Sequence, residues 1–291
     1  MALNILITGT GGYVGTFFQH YIEEKNCNMP LENQWHVTFV SVRNDNWKQM
    51  DFGKYDCILH AAGIVHRKEE PGMEELYHSV NMVLTKELAE KAKRDGVGQF
   101  IFLSTMSVYG KVTGRISNNT EPAPRNYYGK SKLMAEQEIT KLAEDGFKVA
   151  IVRPPMIYGK ACTGNYALLE KMARKIPIFP KVKNERSMIY IENLCECLRR
   201  MIETGYEGIF CPQNEAYVNT SEMVAQIRRS YGKRPVLMPG FGWLIRILAG
   251  KVNLFAKVFG TLTYDKEMSQ DAKLGAYNII DFGEGINASK H

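Results

Sequence analysis

The sequence predicts an α/β fold, in which a doubly wound parallel sheet is followed by a smaller, mostly helical C-terminal part. Two observations predict this fold. Short β-rich runs alternate with longer helical stretches through the first 160 residues, which is typical of parallel strands covered by helices on both faces. The alternation becomes irregular after Pro154-Pro155, so we expect a second region to begin there.

The individual elements follow from apolar patterns and turn residues. The first run, 3–8, is continuously apolar and ends in glycines, as a strand buried on both faces does. In the first part we expect strands at 3–8, 36–42, 57–60, 99–104 and 149–153 and helices at 13–25, 76–94 and 127–144. In the second part we expect helices at 166–175, 193–203 and 221–230, strands at 187–191 and 208–211, and a connector at 176–180.

The domain boundaries follow these elements. We expect one domain over 1–160, completed by about 182–212, and a second region over 161–181 and 213–280. The polar stretch 281–291 is expected to be a loose tail.

Composition and charge exclude several classes of function. The 291 residues are 45% hydrophobic and 23% charged, as in an ordinary globular protein. The net charge of +6 is scattered, without the basic stripe and interleaved aromatics of a nucleic-acid binder. The six cysteines include no C-x-x-C pair, so we expect reduced thiols and no metal site.

The sequence predicts a cytoplasmic protein without an integral membrane segment. The N-terminus lacks the basic start and apolar stretch of a signal peptide. The most apolar segment, 241–259, is interrupted by Arg246, Lys251 and Lys257. Its apolar positions have helical spacing, which favours packing against the rest of the protein. A helix lying on a membrane surface stays open as an alternative.

A glycine-rich turn joins the first strand to the first helix. Gly9, Gly12 and Gly15 are spaced by three, and Tyr13 and Val14 begin the helix. Glycine is required because a side chain would block the approach of a pyrophosphate to the backbone, and the helix N-terminus attracts such an anion. The strand–turn–helix context therefore predicts a dinucleotide-binding domain of the Rossmann type.

A tyrosine and a lysine form a second motif on the helix expected at 127–144. Tyr128 and Lys132 are four residues apart, so their side chains share one face of the helix. A neighbouring ammonium favours the phenolate form of a tyrosine. Tyr128 could then exchange a proton with a substrate hydroxyl while a hydride is transferred. The competitor Tyr127 meets Ser131 at this spacing instead. We therefore predict Tyr128 and Lys132 as the catalytic pair.

These motifs resemble the extended short-chain dehydrogenase/reductase family, of the NAD-dependent epimerase/dehydratase type and its nucleotide-sugar branch. The resemblance implies that Thr105 is the third catalytic residue and hydrogen-bonds the carbonyl or hydroxyl group being transformed. It also implies that Lys132 holds the nicotinamide ribose. Dehydratases of this family have Asp-Glu after that threonine, whereas this chain has Met106-Ser107, which disfavours dehydration. The segments that carry the likeness lie at 9–15, 60–63, 104–110, 128–132, 153–159 and 186–193.

The cofactor is expected to be NADP rather than NAD. An acidic residue at the end of the second strand would favour NAD, but Arg43 stands there and could meet a 2′-phosphate. Alternatively Arg43 covers the adenine, which would fit either cofactor. The resemblance implies that Asp51 and Phe52 lie beside the adenine. It also implies a close approach of the chain to the cofactor at Ala61, Ala62 and Gly63.

The resemblance also implies a nucleoside-diphosphate sugar as substrate, with UDP as the expected nucleotide. Asn165 matches a substrate-binding asparagine, and Arg186 would bind the diphosphate. The family often forms homodimers through two helices, here those at 76–94 and 127–144.

The function expected from these residues is NAD(P)-dependent oxidoreduction at C4 of the sugar. A 4-keto-sugar reductase in surface-polysaccharide precursor synthesis is slightly favoured, because the acidic residue after the second strand is missing. A 4-epimerase with retained NAD is the alternative. A reductase of other alcohols and a non-catalytic dinucleotide sensor are further alternatives.

Overall fold

The structure is a computed structural model that describes residues 1–65, 70–240 and 258–290. Its strands are β1 (Asn4–Thr8), β2 (His36–Val40), β3 (Cys57–His60), β4 (Gln99–Leu103), β5 (Gly114–Ile116), β6 (Lys148–Val152), β7 (Met156–Tyr158), β8 (Ile178–Pro180), β9 (Met188–Tyr190), β10 (Gly208–Phe210), β11 (Val236–Met238) and β12 (Leu262–Tyr264). Its helices are α1 (Tyr13–Asn26), α2 (Glu74–His78), α3 (Leu84–Arg94), α4 (Tyr127–Thr140), α5 (Asn165–Lys175), α6 (Ile191–Thr204), α7 (Thr220–Ser230) and α8 (Phe282–Ala288).

Six parallel strands form the central sheet, in the order β10-β6-β4-β3-β1-β2. Helices cover both faces, and the side chains of β1 divide between the two layers. Ile5 and Ile7 pack with residues of α1 and α6, whereas Leu6 packs with residues of α3 and α4. The expected doubly wound parallel sheet is therefore confirmed.

The strand order reverses at β1, because β2 lies on one side of it and β3 on the other. In such sheets ligands bind in the crevice at the carboxyl ends of the strands that flank this reversal. Here those ends are joined directly, since the Thr8 hydroxyl lies 2.5 Å from Nδ1 of His60. This edge of the sheet is where the predicted functional residues should meet.

Outside the central sheet, the described residues form three two-stranded parallel sheets, β5 with β12, β7 with β9, and β8 with β11, and helices α5 and α7 lie in the region after β6. The connector expected at 176–180 thus contains a strand. The helix expected at 76–94 is continuous in direction but contains a π-helical turn at Ser79–Val83. The polar side chain that caps α7 is Asn219, which accepts a hydrogen bond from the Glu222 amide at 3.1 Å.

The loose tail expected after Asp281 is wrong for the described residues. Helix α8 begins with a capping box, in which the Asp281 and Glu284 side chains each accept a hydrogen bond from the other's backbone amide. Ile286 is buried in the main core cluster, and this apolar contact holds the helix to the protein. Among the described residues no helix is both long and apolar enough to cross a membrane. Most of the apolar segment at 241–259 lies outside them.

Candidate active site

The glycine turn has the conformation that its sequence predicts. Gly9 has a φ of +95°, and a Cβ built on it would lie 3.0 Å from the Cβ of Ala62. A Cβ on Gly15 would lie 3.0 Å from the Ile7 side chain. Gly9 therefore lets the turn approach the end of β3, and Gly15 lets α1 pack on β1.

The turn fits a bound pyrophosphate. A Cβ on Gly12 would come no closer than 4.0 Å, to the Gly9 carbonyl oxygen, so open space lies in front of the helix. Among the described residues no side chain caps the N-terminus of α1, which leaves its first amide groups and partial positive charge for an anion. Tyr13 and Val14 are partly buried against the core. The Tyr13 hydroxyl donates to the Lys160 carbonyl oxygen at 3.0 Å, which joins α1 to the loop after β7.

Three elements bring the predicted catalytic residues together. Helix α4 is capped by Asn126, whose side chain accepts a hydrogen bond from the Gly129 amide at 2.9 Å. This start places the hydroxyl of Tyr128 in a hydrogen bond with that of Thr105, which follows β4. Lys132 lies one turn further along and donates to the Leu103 carbonyl oxygen at 2.8 Å.

The same lysine borders the loop after β3. A Cβ built on Gly63 would lie 3.3 Å from the Lys132 ammonium nitrogen, so only glycine leaves room for it. The Asn81 side chain, in the π-helical turn, accepts from the Ile64 amide at 2.8 Å and donates to Ser131 at 3.1 Å. Asn81 thereby holds this loop against α4.

The electrostatics of Tyr128 differ from the sequence-based expectation. Burial raises the pKa of Tyr128 to about 12, and the hydrogen bond with Thr105 only partly opposes this. The expected lowering of this pKa by Lys132 is absent, and the Lys132 ammonium donates instead to the Leu103 carbonyl. The phenol is therefore protonated at neutral pH, which is the form that can donate a proton to a carbonyl oxygen.

Burial changes the protonation of Lys132. Its side chain is 4% exposed and lies 4.4 Å from the centre of the Phe102 ring. Burial lowers the pKa of Lys132 to about 7, while the negative charge of Glu136 opposes that shift. The ammonium group is thus close to half protonated at neutral pH.

Glu136 is a residue of this site that the sequence analysis missed. It lies one turn after Lys132 and forms a buried ion pair with Arg153, whose Nε is 3.1 Å from the carboxylate. Ser104 also donates to Glu136, and Arg153 donates to the Tyr109 hydroxyl at 2.7 Å. The four-residue spacing from Lys132 was the available signal, since it places Glu136 on the same face of the helix.

The residues expected near the adenine do not all reach the surface. Arg43 is exposed just beyond β2, and Asp51 is exposed with its carboxylate accepting from the Gly53 amide at 2.9 Å. Phe52, however, is 0% exposed and packs in the core with Trp47. Its backbone amide donates to the Asp95 carboxylate at 3.1 Å. The structure thus places the Phe52 ring in the core, and its position beside the adenine stays a prediction.

The two residues expected to bind the substrate lie beyond β7. Asn165 is exposed at the first turn of α5. Arg186 precedes β9 and donates to the Gly260 carbonyl oxygen at 2.9 Å, while its Nε has no hydrogen-bond partner among the described residues. Burial lowers the pKa of Arg186 to about 10. A buried guanidinium with a spare donor can accept an anionic partner.

A family model decides where this chain belongs. The model of the NAD dependent epimerase/dehydratase family matches residues 5–210. The chain belongs to this family. Among curated relatives, the UDP-glucose 4-epimerase of Vibrio cholerae is 27% identical, with 91% of this chain and 88% of the relative covered. The N-acetyl-alpha-D-glucosaminyl-diphospho-ditrans,octacis-undecaprenol 4-epimerase of Escherichia coli O157:H7 is also 27% identical, with 79% and 73% covered.

Solved structures show the same fold. The dTDP-4-dehydrorhamnose reductase of Bacillus anthracis, in complex with NADP, has a TM-score of 0.63 and 20% identity, with 82% of this chain and 84% of that chain covered. Other structural neighbours contain NAD, three of them together with a UDP-sugar or its derivative. The relatives and structural neighbours of this chain thus include epimerases and a reductase, and the solved structures contain NAD or NADP.

Proposed function

We propose that this family member transfers a hydride at C4 of a diphosphate-linked sugar. The observation that carries the proposal is the Tyr128 hydroxyl, hydrogen-bonded to Thr105 and one helical turn from Lys132. Lys132 borders the loop after β3, which the glycine turn also approaches. Nucleoside-diphosphate sugars, with UDP as the first choice, and the lipid-linked sugar of the Escherichia coli relative both belong to this substrate class.

Different residues of the chain would bind different parts of the cofactor. The amides that follow Gly9, Gly12 and Gly15 would hold the pyrophosphate of NADP or NAD, and Lys132 would hold the nicotinamide ribose. When bound, the nicotinamide supplies the acceptor and the donor of the hydride. The two predicted regions would divide these ligands. Residues 1–160, together with 182–212, would hold the cofactor. Residues 161–181, together with 213–280, would hold the sugar.

Tyr128 would donate or accept the proton that accompanies the hydride transfer. In the direction of reduction, its protonated hydroxyl donates to the C4 oxygen, and the Thr105 hydroxyl holds that oxygen in place. In the direction of oxidation, Tyr128 must first lose its proton, which a pKa of about 12 opposes. Positive charge close to the phenol favours that loss, so protonated Lys132 is expected to assist oxidation.

Arg186 would bind the diphosphate. Its guanidinium is partly enclosed and keeps one donor without a partner among the described residues, and an anion would offset the charge that burial disfavours. Asn165 would contact the sugar from the start of α5. A homodimer through α3 and α4 stays a prediction.

Of the two reactions that share these residues, we place 4-epimerisation first. Two curated relatives that match most of this chain carry that activity in their names. Arg43 favours the reductase less directly, because an exposed cation after β2 concerns the choice of NADP over NAD rather than the reaction itself. This reverses the slight preference that the sequence alone supports.

The test is turnover with and without added cofactor. An epimerase interconverts UDP-glucose and UDP-galactose, or their N-acetyl forms, with the cofactor that it retains, whereas a reductase consumes NADPH with a 4-keto-6-deoxy sugar. In either case Tyr128→Phe should lower kcat by roughly a thousandfold or more while cofactor binding persists. Tyr127→Phe, one residue earlier, is the matched control. Unchanged turnover in Tyr128→Phe would overturn the proposed chemistry, whereas cofactor binding without any turnover by the unchanged protein would leave the sensor interpretation.

A further inference from the structure

The small sheet of β8 and β11 has an apolar outer side. The two strands are parallel, with Ile178 opposite Val236 and Pro180 opposite Met238. Side chains alternate along a strand, so these four residues share one face, which we call the outer face. Ile178 is 48% exposed, Val236 47% and Met238 37%.

The inner side of the same sheet is also apolar. Phe179 is buried in the main core cluster, and Leu237 packs against it. A two-stranded sheet with one side on the core normally has polar residues on the other. Apolar residues on both sides therefore indicate that the outer face has a partner of its own.

Basic residues flank the strands of the outer face along the chain, before and after β8 and before β11. All of them are exposed, and none forms an ion pair with another of the described residues. They are Lys171, Arg174, Lys175, Lys181, Lys183, Lys233 and Arg234. Glu185 is the exposed carboxylate of this part of the chain, since the carboxylate of Glu170 is buried and accepts from Tyr231.

The excess of positive charge is specific to this surface. Segments 165–183 and 228–240 contain nine of the chain's 37 basic residues and one of its 31 acidic residues. The rest of the chain has 28 basic and 30 acidic residues. The net charge of +6 therefore comes from these two segments.

Arg228 holds the two segments together. Its guanidinium is buried and donates to the carbonyl oxygens of Ala173 and Ile176, both at 2.8 Å. It also donates to the Arg234 carbonyl oxygen at 3.1 Å. The end of α5 and the start of β11 are thus joined through a buried side chain, which makes the basic residues and the outer face one continuous surface.

We propose that this surface binds the headgroups of an anionic lipid bilayer. An exposed apolar face flanked by cations that form no ion pair with the described residues is a combination that lipid interfaces favour, because apolar side chains enter the headgroup layer while lysines and arginines attract anionic lipids. A second copy of the chain fits less well, since it would bring like charges together. A nucleic acid fits less well too, since the outer face offers no aromatic side chain for base stacking.

Binding to vesicles tests the proposal with the full chain and without any sugar substrate, so its outcome is separate from that of the proposed function. Vesicles of phosphatidylcholine are compared with vesicles of equal parts phosphatidylcholine and phosphatidylglycerol, by co-sedimentation at low and high salt. We expect binding to the anionic vesicles, weakened by salt because the attraction is partly electrostatic.

Two pairs of substitutions address the two parts of the surface. Ile178→Glu with Val236→Glu changes the outer face, and Lys181→Glu with Lys183→Glu changes the basic residues. Each pair should weaken binding to anionic vesicles by about tenfold or more. Ile279→Glu and Lys273→Glu, at exposed positions elsewhere, are the matched controls and should bind like the unchanged protein.

Four results would overturn the proposal. They are absence of binding to the anionic vesicles, equal binding to both kinds of vesicle, unchanged binding of both paired variants, and concentration-dependent dimerisation that the Ile178→Glu pair abolishes. Thermal unfolding of each variant shows whether the variant is still folded. The lysine pair covers the case in which the apolar pair does not fold, because exposed charge reversals seldom alter stability by much.

Discussion

Replacing Lys132 with methionine should stabilise the cofactor-free protein most at and below neutral pH, and the gain should shrink as the pH rises. Lys132 is charged in the unfolded chain up to a pKa near 10.5, whereas burial lowers its pKa to about 7 in the folded state. Between these values the unfolded state binds more protons than the folded state. The free energy of unfolding of the unchanged protein therefore rises with pH across this window.

The size of the effect follows from the same two pKa values. Each pKa unit corresponds to about 1.4 kcal/mol, so the window from about 7 to 10.5 is worth at most about 5 kcal/mol. Methionine removes this dependence and keeps an unbranched side chain of similar length. The hydrogen bond that it loses, to the Leu103 carbonyl oxygen, lowers stability by about 1 kcal/mol at every pH.

Urea unfolding followed by tryptophan fluorescence measures the difference. We expect the advantage of Lys132→Met over the unchanged protein to fall by roughly 2–3 kcal/mol between pH 7 and pH 9. Lys130→Met, at an exposed position on the same helix, is the matched control and should show a difference that does not depend on pH. If the difference in free energy of unfolding between Lys132→Met and the unchanged protein depends on pH no more than that of the control, burial does not disfavour the charge of Lys132.

Three further predictions concern the neighbouring residues. Thr105→Val removes the hydrogen bond to Tyr128 and should lower kcat by about 10²–10³, with cofactor affinity, measured by fluorescence titration, unchanged. Arg43→Ser should weaken NADPH binding by roughly tenfold or more and leave NADH binding unaltered; equal effects on both would assign Arg43 to the adenine instead. Gly9→Ala should destabilise the fold by about 1–3 kcal/mol in thermal or urea unfolding, because its φ of +95° and its contact with Ala62 both resist a Cβ. Gly98→Ala, where a Cβ would have only an ordinary contact at 3.6 Å, should have a smaller effect.

Several predicted site residues have the local structure that the sequence analysis expects, and they share one property, which is a local reason for their position. Gly9 and Gly15 precede or open a helix after an apolar strand, and Tyr128 and Lys132 share a helical face; both arguments use only short spacings. Arg43 at the end of β2 is exposed for the same kind of reason, because it follows the last apolar residue of the strand.

The features that the sequence analysis did not foresee share the opposite property. Phe52 is in the core because Trp47 and the residues of α3 happen to meet it there, which no short spacing reveals. The tail is held by Ile286 and Phe282, which pack on the main core cluster, and by a capping box. The importance of Glu136 depends on Arg153, seventeen residues further along the chain.

The sequence by itself determined the parallel sheet, the glycine turn and the placement of Tyr128 and Lys132 one turn apart on a helix, because periodicity and backbone sterics act over a few residues. Only the tertiary structure decided how strongly these groups hold their protons. Burial lowers the pKa of Lys132 to about 7 and raises that of Tyr128 to about 12, against the expectation from their spacing alone. The physical reason is that desolvation depends on every element packed around a charge, whereas spacing along a helix reports only one neighbour.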